Sequence, residues 1–179
     1  MTSSEQRHSS DISYRIMASY LKFRERFRKP ADFLQSIGIK SGDIILDHGC
    51  GIGSYAIPAA KIVGPSGKVY ALDIHHIAVE KTAERAAHAG LGNLETILSG
   101  LENGLPDQSV DIILLIDVYT WIPDKQALLE EFHRTLKSEG RLIILIDHDS
   151  PEGCKRDVAQ SELFELERQE ENVLYYCKR

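Results

Sequence analysis

Cysteine is scarce and scattered: three residues in 179, at positions 50, 154 and 177. An odd, widely spaced set argues against a disulfide framework and against any paired-cysteine zinc site, and it makes reduced thiols the expectation. Long apolar runs are also missing. No stretch of eighteen apolar residues occurs, so no membrane span is expected. The opening "MTSSEQRHSS" lacks the apolar region of a secretory leader, which makes the cytoplasm the expected location. Basic charge is thin outside the first segment. The net charge of −6 divides into +4 over residues 1–42 and −10 over the remainder, and an acidic body argues against general nucleic-acid binding.

What is present suits one globular domain: 42% apolar and 27% charged residues over a length that can bury a full sheet. The basic stretch is "LKFRERFRK", Leu21 to Lys29. Ile16, Tyr20, Phe23 and Phe27 are spaced by four, three and four, which puts them on one helix face with basic groups around it. An amphipathic helix packed on the domain is the simpler reading, with an RNA or membrane contact as the alternative. Residues 1–30 are therefore read as an N-terminal helical segment covering the site, and 31–179 as a single domain.

Beyond that segment, apolar runs alternate with helical patterns. The runs "DIILDHG" (43–49), "KVYALDI" (68–74), "LETILS" (94–99), "VDIILLIDV" (110–118) and "RLIILIDH" (141–148) are continuous and rich in β-branched residues. Strands buried on both faces of a parallel sheet look like this. Helices are predicted at about 54–63, 76–89 and 124–138, the last with Leu128 or Leu129, Phe132 and Leu136 as its buried stripe and Gly140 after its end. The order predicts a doubly wound α/β sheet with helices on both faces. At the carboxyl end, 163–169 and 173–178 read as strands around a turn at Glu170 to Asn172, an antiparallel hairpin closing the sheet edge.

Function concentrates after the first strand, where Gly49, Gly51 and Gly53 follow Asp47. Open parallel sheets bind ligands beyond the carboxyl ends of their strands, and glycine lets backbone amides approach closely. The spacing Gly51-x-Gly53-x-x-Ala56, with Asp73 about twenty residues on, also satisfies the dinucleotide fingerprint. Asp47 decides between the two. A carboxylate there would repel a pyrophosphate at the following helix start and would welcome a cation. S-adenosyl-L-methionine offers a sulfonium and an ammonium group, with Asp73 placed for its ribose hydroxyls.

These residues resemble the first motif and the second-strand acid of class I, Rossmann-like S-adenosylmethionine-dependent methyltransferases, of the small methyltransferase-11-like type. "LPDQSVDIILLIDVYTWIPD" (105–124) and "LKSEGRLIILID" (136–147) are similar to that family's fourth-strand and fifth-strand regions. The resemblance covers about residues 33–179 and implies a seven-stranded, mostly parallel sheet. It implies cofactor contacts from Asp47, Gly49, Cys50, Gly51, Gly53, Asp73, Ile74, Ser99, Gly100, Leu101 and Asp117. One departure stands out. Many relatives carry an acid after the third strand for the adenine amino group, whereas "ILSGLENGLP" places Ser99 or Gly100 there and Glu102 two or three residues late.

Methyl transfer needs alignment and proximity, and a base only where the acceptor must lose a proton. No catalytic residue is therefore demanded. Asp117, Tyr119 and His148 are the candidates at the strand ends, His148 being read first as a loop residue between Asp147 and Asp149. Asp147, His148 and Asp149 with Cys154 match no familiar metal-site spacing, and no metal is expected. Cys50 is read as a small apolar turn residue. Tyr119 and Trp121 border cofactor or acceptor, or simply pack.

Only about fifteen residues separate "LIDH" from the hairpin, which predicts an open acceptor site covered by the helix bearing Tyr14, Tyr20, Phe23 and Phe27. A small-molecule acceptor is favoured, free or enclosed by the second subunit of a homodimer. Methylation of a protein or RNA group, and a cofactor-binding module without turnover, are the alternatives.

Overall fold

The computed structural model describes residues 29–147 and 149–179. The basic aromatic stripe and His148 lie outside the described residues, so the expected covering helix and that candidate base receive no structural account.

The described chain runs α1 (Pro30–Ser36), β1 (Ile44–His48), α2 (Ala56–Val63), β2 (Lys68–Asp73), α3 (His76–His88), β3 (Leu94–Leu98), β4 (Val110–Ile116), a 3-10 turn (Tyr119–Trp121), α4 (Lys125–Thr135), β5 (Leu136–Leu145), α5 (Pro151–Ser161), β6 (Phe164–Glu170) and β7 (Val173–Lys178). One seven-stranded sheet has the order β3-β2-β1-β4-β5-β7-β6. The first five strands are mutually parallel, while β7 runs antiparallel to both β5 and β6. The doubly wound sheet and its terminal hairpin are as the apolar runs predicted.

Alternation along each strand divides the core in two. Ile45, Val69, Ala71, Ile112, Leu114, Ile143 and Tyr175 pack with the inner faces of α1 and α2. Leu46, Leu72, Ile113, Leu115, Leu142, Ile144 and Tyr176 pack with α4 and α5. Period-two alternation inside continuous apolar runs thus serves both faces at once, which requires helices on each. Chain order reverses between β1 and β4, opening a crevice at their carboxyl ends.

Several boundaries and elements differ from expectation. The third predicted helix stops at Thr135, and Leu136 already pairs with Val110 as the first residue of β5. Leu136 is fully buried at the start of β5, as the predicted helical stripe also required, so helical spacing could not separate the two readings. Beyond its ten residues, β5 ends at Leu145 rather than near 148. The interval after β5, expected to be a short connection, forms α5: the Ser150 hydroxyl accepts from the Glu152 amide at 3.3 Å and Pro151 occupies the first turn. Helix α1, also beginning on a proline, was not expected either.

Candidate active site

Asp47 sits one residue from the end of β1 and is 2% exposed. The backbone amide of Ala56, the first residue of α2, donates to its carboxylate. Tyr55, at the helix start, contributes no side-chain cap, so Asp47 supplies a negative charge to the helix start from across the turn. Its Oδ2 has no hydrogen-bond partner. Burial above all, then the charge of Asp73, pushes the acid from the usual 3.8 to about 7, against the pull of the Ala56 amide. A buried carboxylate beside a second one, with an oxygen unspent, fits a cationic ligand.

Asp73, at the end of β2, holds the glycine turn in place. Its Oδ2 accepts from the Gly51 amide and its Oδ1 from the His75 amide, each at 2.9 Å. Helix α3 grips the same turn from above: Thr82 Oγ1 donates to the Gly51 carbonyl at 3.0 Å and Arg85 Nη1 to the Ile52 carbonyl at 2.6 Å. Sequence reasoning missed both side chains, because they meet carbonyls 31 and 33 residues away and belong to no local motif.

Two glycines have separate reasons. Gly49 has φ +81°, and a Cβ there would lie 2.5 Å from Val118 Cγ2; Gly53 has φ +79°, and its Cβ would lie 3.0 Å from Thr82. Cys50 is buried, its thiol pushed up by burial and by Asp47 and Asp73, which suits an inert turn residue.

Ile74 stands 76% exposed just beyond Asp73, and a Cβ on Gly100 would come within 3.1 Å of its Cδ1. The Ser99 amide donates to the Asp73 carbonyl at 3.1 Å, and the Leu101 amide to Ser99 Oγ at 3.4 Å. The structure thus brings Asp73, Ile74, Ser99, Gly100 and Leu101 to one edge. Glu102 is exposed, and the chain turns inward only at Asn103.

Asp117, the first residue after β4, has φ +58°, a conformation that costs a non-glycine residue about 1–3 kcal/mol. Its Oδ1 accepts from the Asp147 amide at 2.8 Å, and Asp147 in turn accepts from Asn172 Nδ2 in the β6–β7 turn. Asp117 also lines a cavity of about 220 Å3 with Tyr119, Thr120, Trp121, Ile146 and Asp149. Tyr119 donates from its hydroxyl to Asp157 Oδ2 at 3.0 Å, and burial holds its phenol protonated, which favours a donor's part over a base's.

His48 faces the other core, edge-on to Phe132 with ring centroids 5.2 Å apart. Burial lowers it to about 4, so it is neutral at neutral pH. Among the described residues no group of three or more His, Cys, Asp or Glu is arranged to hold a metal. A larger groove, about 580 Å3, opens at the start of β2, lined by Lys61, Gly64, Lys68, Gly92 and neighbours, with no acid among the described residues that line it.

The crevice, the glycine turn and the paired acids define a class I, Rossmann-like methyltransferase fold. A family described as a methyltransferase domain matches residues 39–176, and the chain belongs to it. A demethylmenaquinone methyltransferase from Geobacillus kaustophilus is 30% identical over 133 residues, 74% of this chain and 57% of that one. Nocamycin O-methyltransferase from Saccharothrix syringae is 34% identical over 110 residues, 61% of this chain and 39% of that one. The match therefore spans well under two thirds of each of these relatives. The crystal structure of a SAM-dependent methyltransferase from Aquifex aeolicus superposes with a TM-score of 0.77 at 26% identity, covering 84% of this chain and 89% of that one. Family and fold imply S-adenosylmethionine as the cofactor.

Proposed function

We propose that this protein transfers a methyl group from S-adenosylmethionine to a small-molecule acceptor in the cytoplasm. The observation carrying the reading is Asp47: a carboxylate 2% exposed, one oxygen without a partner, beside Asp73 at the glycine turn. A dinucleotide pyrophosphate would add negative charge to this pair, whereas a sulfonium or ammonium relieves it. When bound, S-adenosylmethionine supplies an electrophilic methyl on a positively charged sulfur. The chain's own part is to hold and orient. Asp73 keeps the Gly51 amide in place while retaining acceptor capacity for hydroxyls, and Ile74 and Gly100 offer a flat apolar edge.

The acceptor lies on the β4 and β5 side, where Asp117, Tyr119 and Trp121 line the cavity. Two relatives are named for small acceptors, demethylmenaquinone and nocamycin, which favours a small molecule over a protein or RNA group. Among the described residues no helix is long and apolar enough to cross a membrane. Free cysteines at 50, 154 and 177 suit a reducing compartment.

Turnover tests the reading. The full chain, given S-adenosylmethionine and fractions of a small-metabolite extract, is expected to release S-adenosylhomocysteine in a fraction-dependent way. Release only with protein or RNA fractions would move the acceptor class, and tight cofactor binding with no release in any fraction would leave a module without turnover.

A further inference from the structure

Two cavities meet behind the 3-10 turn. They share Tyr119, Thr120, Ile146 and Asp149 and hold about 220 Å3 and about 190 Å3. Together they approach the usual size of a small-molecule site. Tyr119 and Ile146 supply apolar wall, 3% and 4% exposed, and Trp121 stands at the rim with 83% of its surface open. An indole left in water beside a cavity is area that a flat ligand would cover.

Charge around the cavities is one-sided. Among the described residues, Asp117, Asp149 and Asp157 line them, against Lys125. That ammonium is already engaged: it donates to the Ile122 carbonyl at 3.2 Å and lies 5.3 Å from the Tyr119 ring centroid. Asp149 spends Oδ1 on the Ser150 amide and Asp157 spends Oδ2 on the Tyr119 hydroxyl. Each carboxylate has about four acceptor positions, so both keep capacity toward the cavity.

We infer that this cavity selects a small aromatic or flat apolar molecule bearing a protonated amine, with its ring against Tyr119 and Trp121 and its ammonium toward Asp149 and Asp157. The inference rests on the methyltransferase reading and narrows its acceptor. The amine is the anchor, and the choice of methylated atom is separate. A cation gains a charge-assisted bond and the face of an indole. A carboxylate or phosphate meets three acids and a lysine already in use, so the same residues that attract the amine reject the anion.

Trp121 is the sole tryptophan of the chain, so selective excitation reads this rim alone. The full chain, saturated with S-adenosylhomocysteine, would be titrated with 2-phenylethylamine, 2-phenylethanol and phenylacetate, which carry one ring with positive, neutral or negative charge. Calorimetry on the same probes covers binding that leaves emission unchanged. The amine is expected to bind at least about tenfold tighter than the alcohol, with the acid weakest. Asp157→Asn, whose amide oxygen can still accept from Tyr119, and the exposed Asp149→Asn should each shrink that preference several-fold and leave S-adenosylhomocysteine affinity unchanged. Equal or tighter binding of the alcohol or acid, no amine binding up to millimolar concentration, or a full preference in both variants would overturn the inference. Loss of S-adenosylhomocysteine binding by the unmodified chain would strike the methyltransferase reading instead.

Discussion

The Asp73 carboxylate accepts from the Gly51 amide at 2.9 Å, a bond that ties the end of β2 to the glycine turn after β1 across 22 residues of sequence. The acid that the ribose hydroxyls would meet is therefore the same acid that shapes the turn. Asp73→Ala should loosen turn and ligand contact together, at about 1–3 kcal/mol of stability and more than tenfold in S-adenosylhomocysteine affinity. Thermal unfolding and calorimetry measure the two losses; a variant that binds normally would separate the roles.

Asp47 and His48 are neighbours with opposite linkages to pH. Asp47 is raised from 3.8 to about 7, so the folded state keeps a proton that the unfolded chain releases. Stability then falls as pH rises through that window, and the penalty is complete above about 7. His48 is lowered from 6.5 to about 4, so the unfolded chain binds the proton first, and stability rises with pH between those values. Between about pH 4 and 6.5 the two slopes oppose. Asp47→Asn should expose a rising slope of up to about 1.4 kcal/mol per pH unit, and His48→Gln a falling one. Equal profiles for wild type and both variants, measured by denaturant unfolding, would contradict the buried-charge account.

The same acid links stability to function. Asp47→Asn removes an unfavourable buried charge and is expected to raise the melting temperature of the ligand-free protein above pH 7, by a gain of about 1–2 kcal/mol. It should also weaken S-adenosylmethionine more than S-adenosylhomocysteine, since only the former carries charge on sulfur, although the shared ammonium narrows the gap. Equal small losses would mean that Asp47 serves the turn alone.

Thr82 tests the grip of α3. Thr82→Val keeps the shape and removes the donor to the Gly51 carbonyl, leaving that bond unmade at about 1 kcal/mol. Cofactor affinity is expected to fall several-fold, and the unfolding temperature by about 2–4 °C. The same fall in unfolding temperature with cofactor affinity unchanged would make Thr82 a purely structural residue.

Gly49 faces Val118 too closely for any side chain. Gly49→Ala should cost about 2 kcal/mol or more through the clash and the positive φ together. Adding Val118→Ala removes the clash but not the strain, so partial recovery in unfolding experiments is the expected outcome.

The parts of the site legible in sequence are those whose chemistry is local. Asp47, the three glycines and Asp73 lie at the ends of β1 and β2, where apolar runs stop at acids. Thr82 and Arg85 were not legible, because a helix residue reaching a distant carbonyl leaves no periodic trace. Helix α5 had a signal that went unread, Ser150 before Pro151, in an interval that was read by its short length alone. At Leu136 the obstacle was physical: a fully buried leucine suits the end of α4 and the start of β5 equally. Tyr119 and Trp121 were named from sequence, but the Tyr119–Asp157 bond joins residues 38 apart and became visible only in the fold.

The most direct measurement is parallel calorimetric titration of the full chain with S-adenosylmethionine, S-adenosylhomocysteine and NAD at neutral pH. Binding of both sulfur compounds, with no heat from NAD, is the predicted result. Binding of NAD without either sulfur compound would contradict the assignment of Asp47 and, with it, the site.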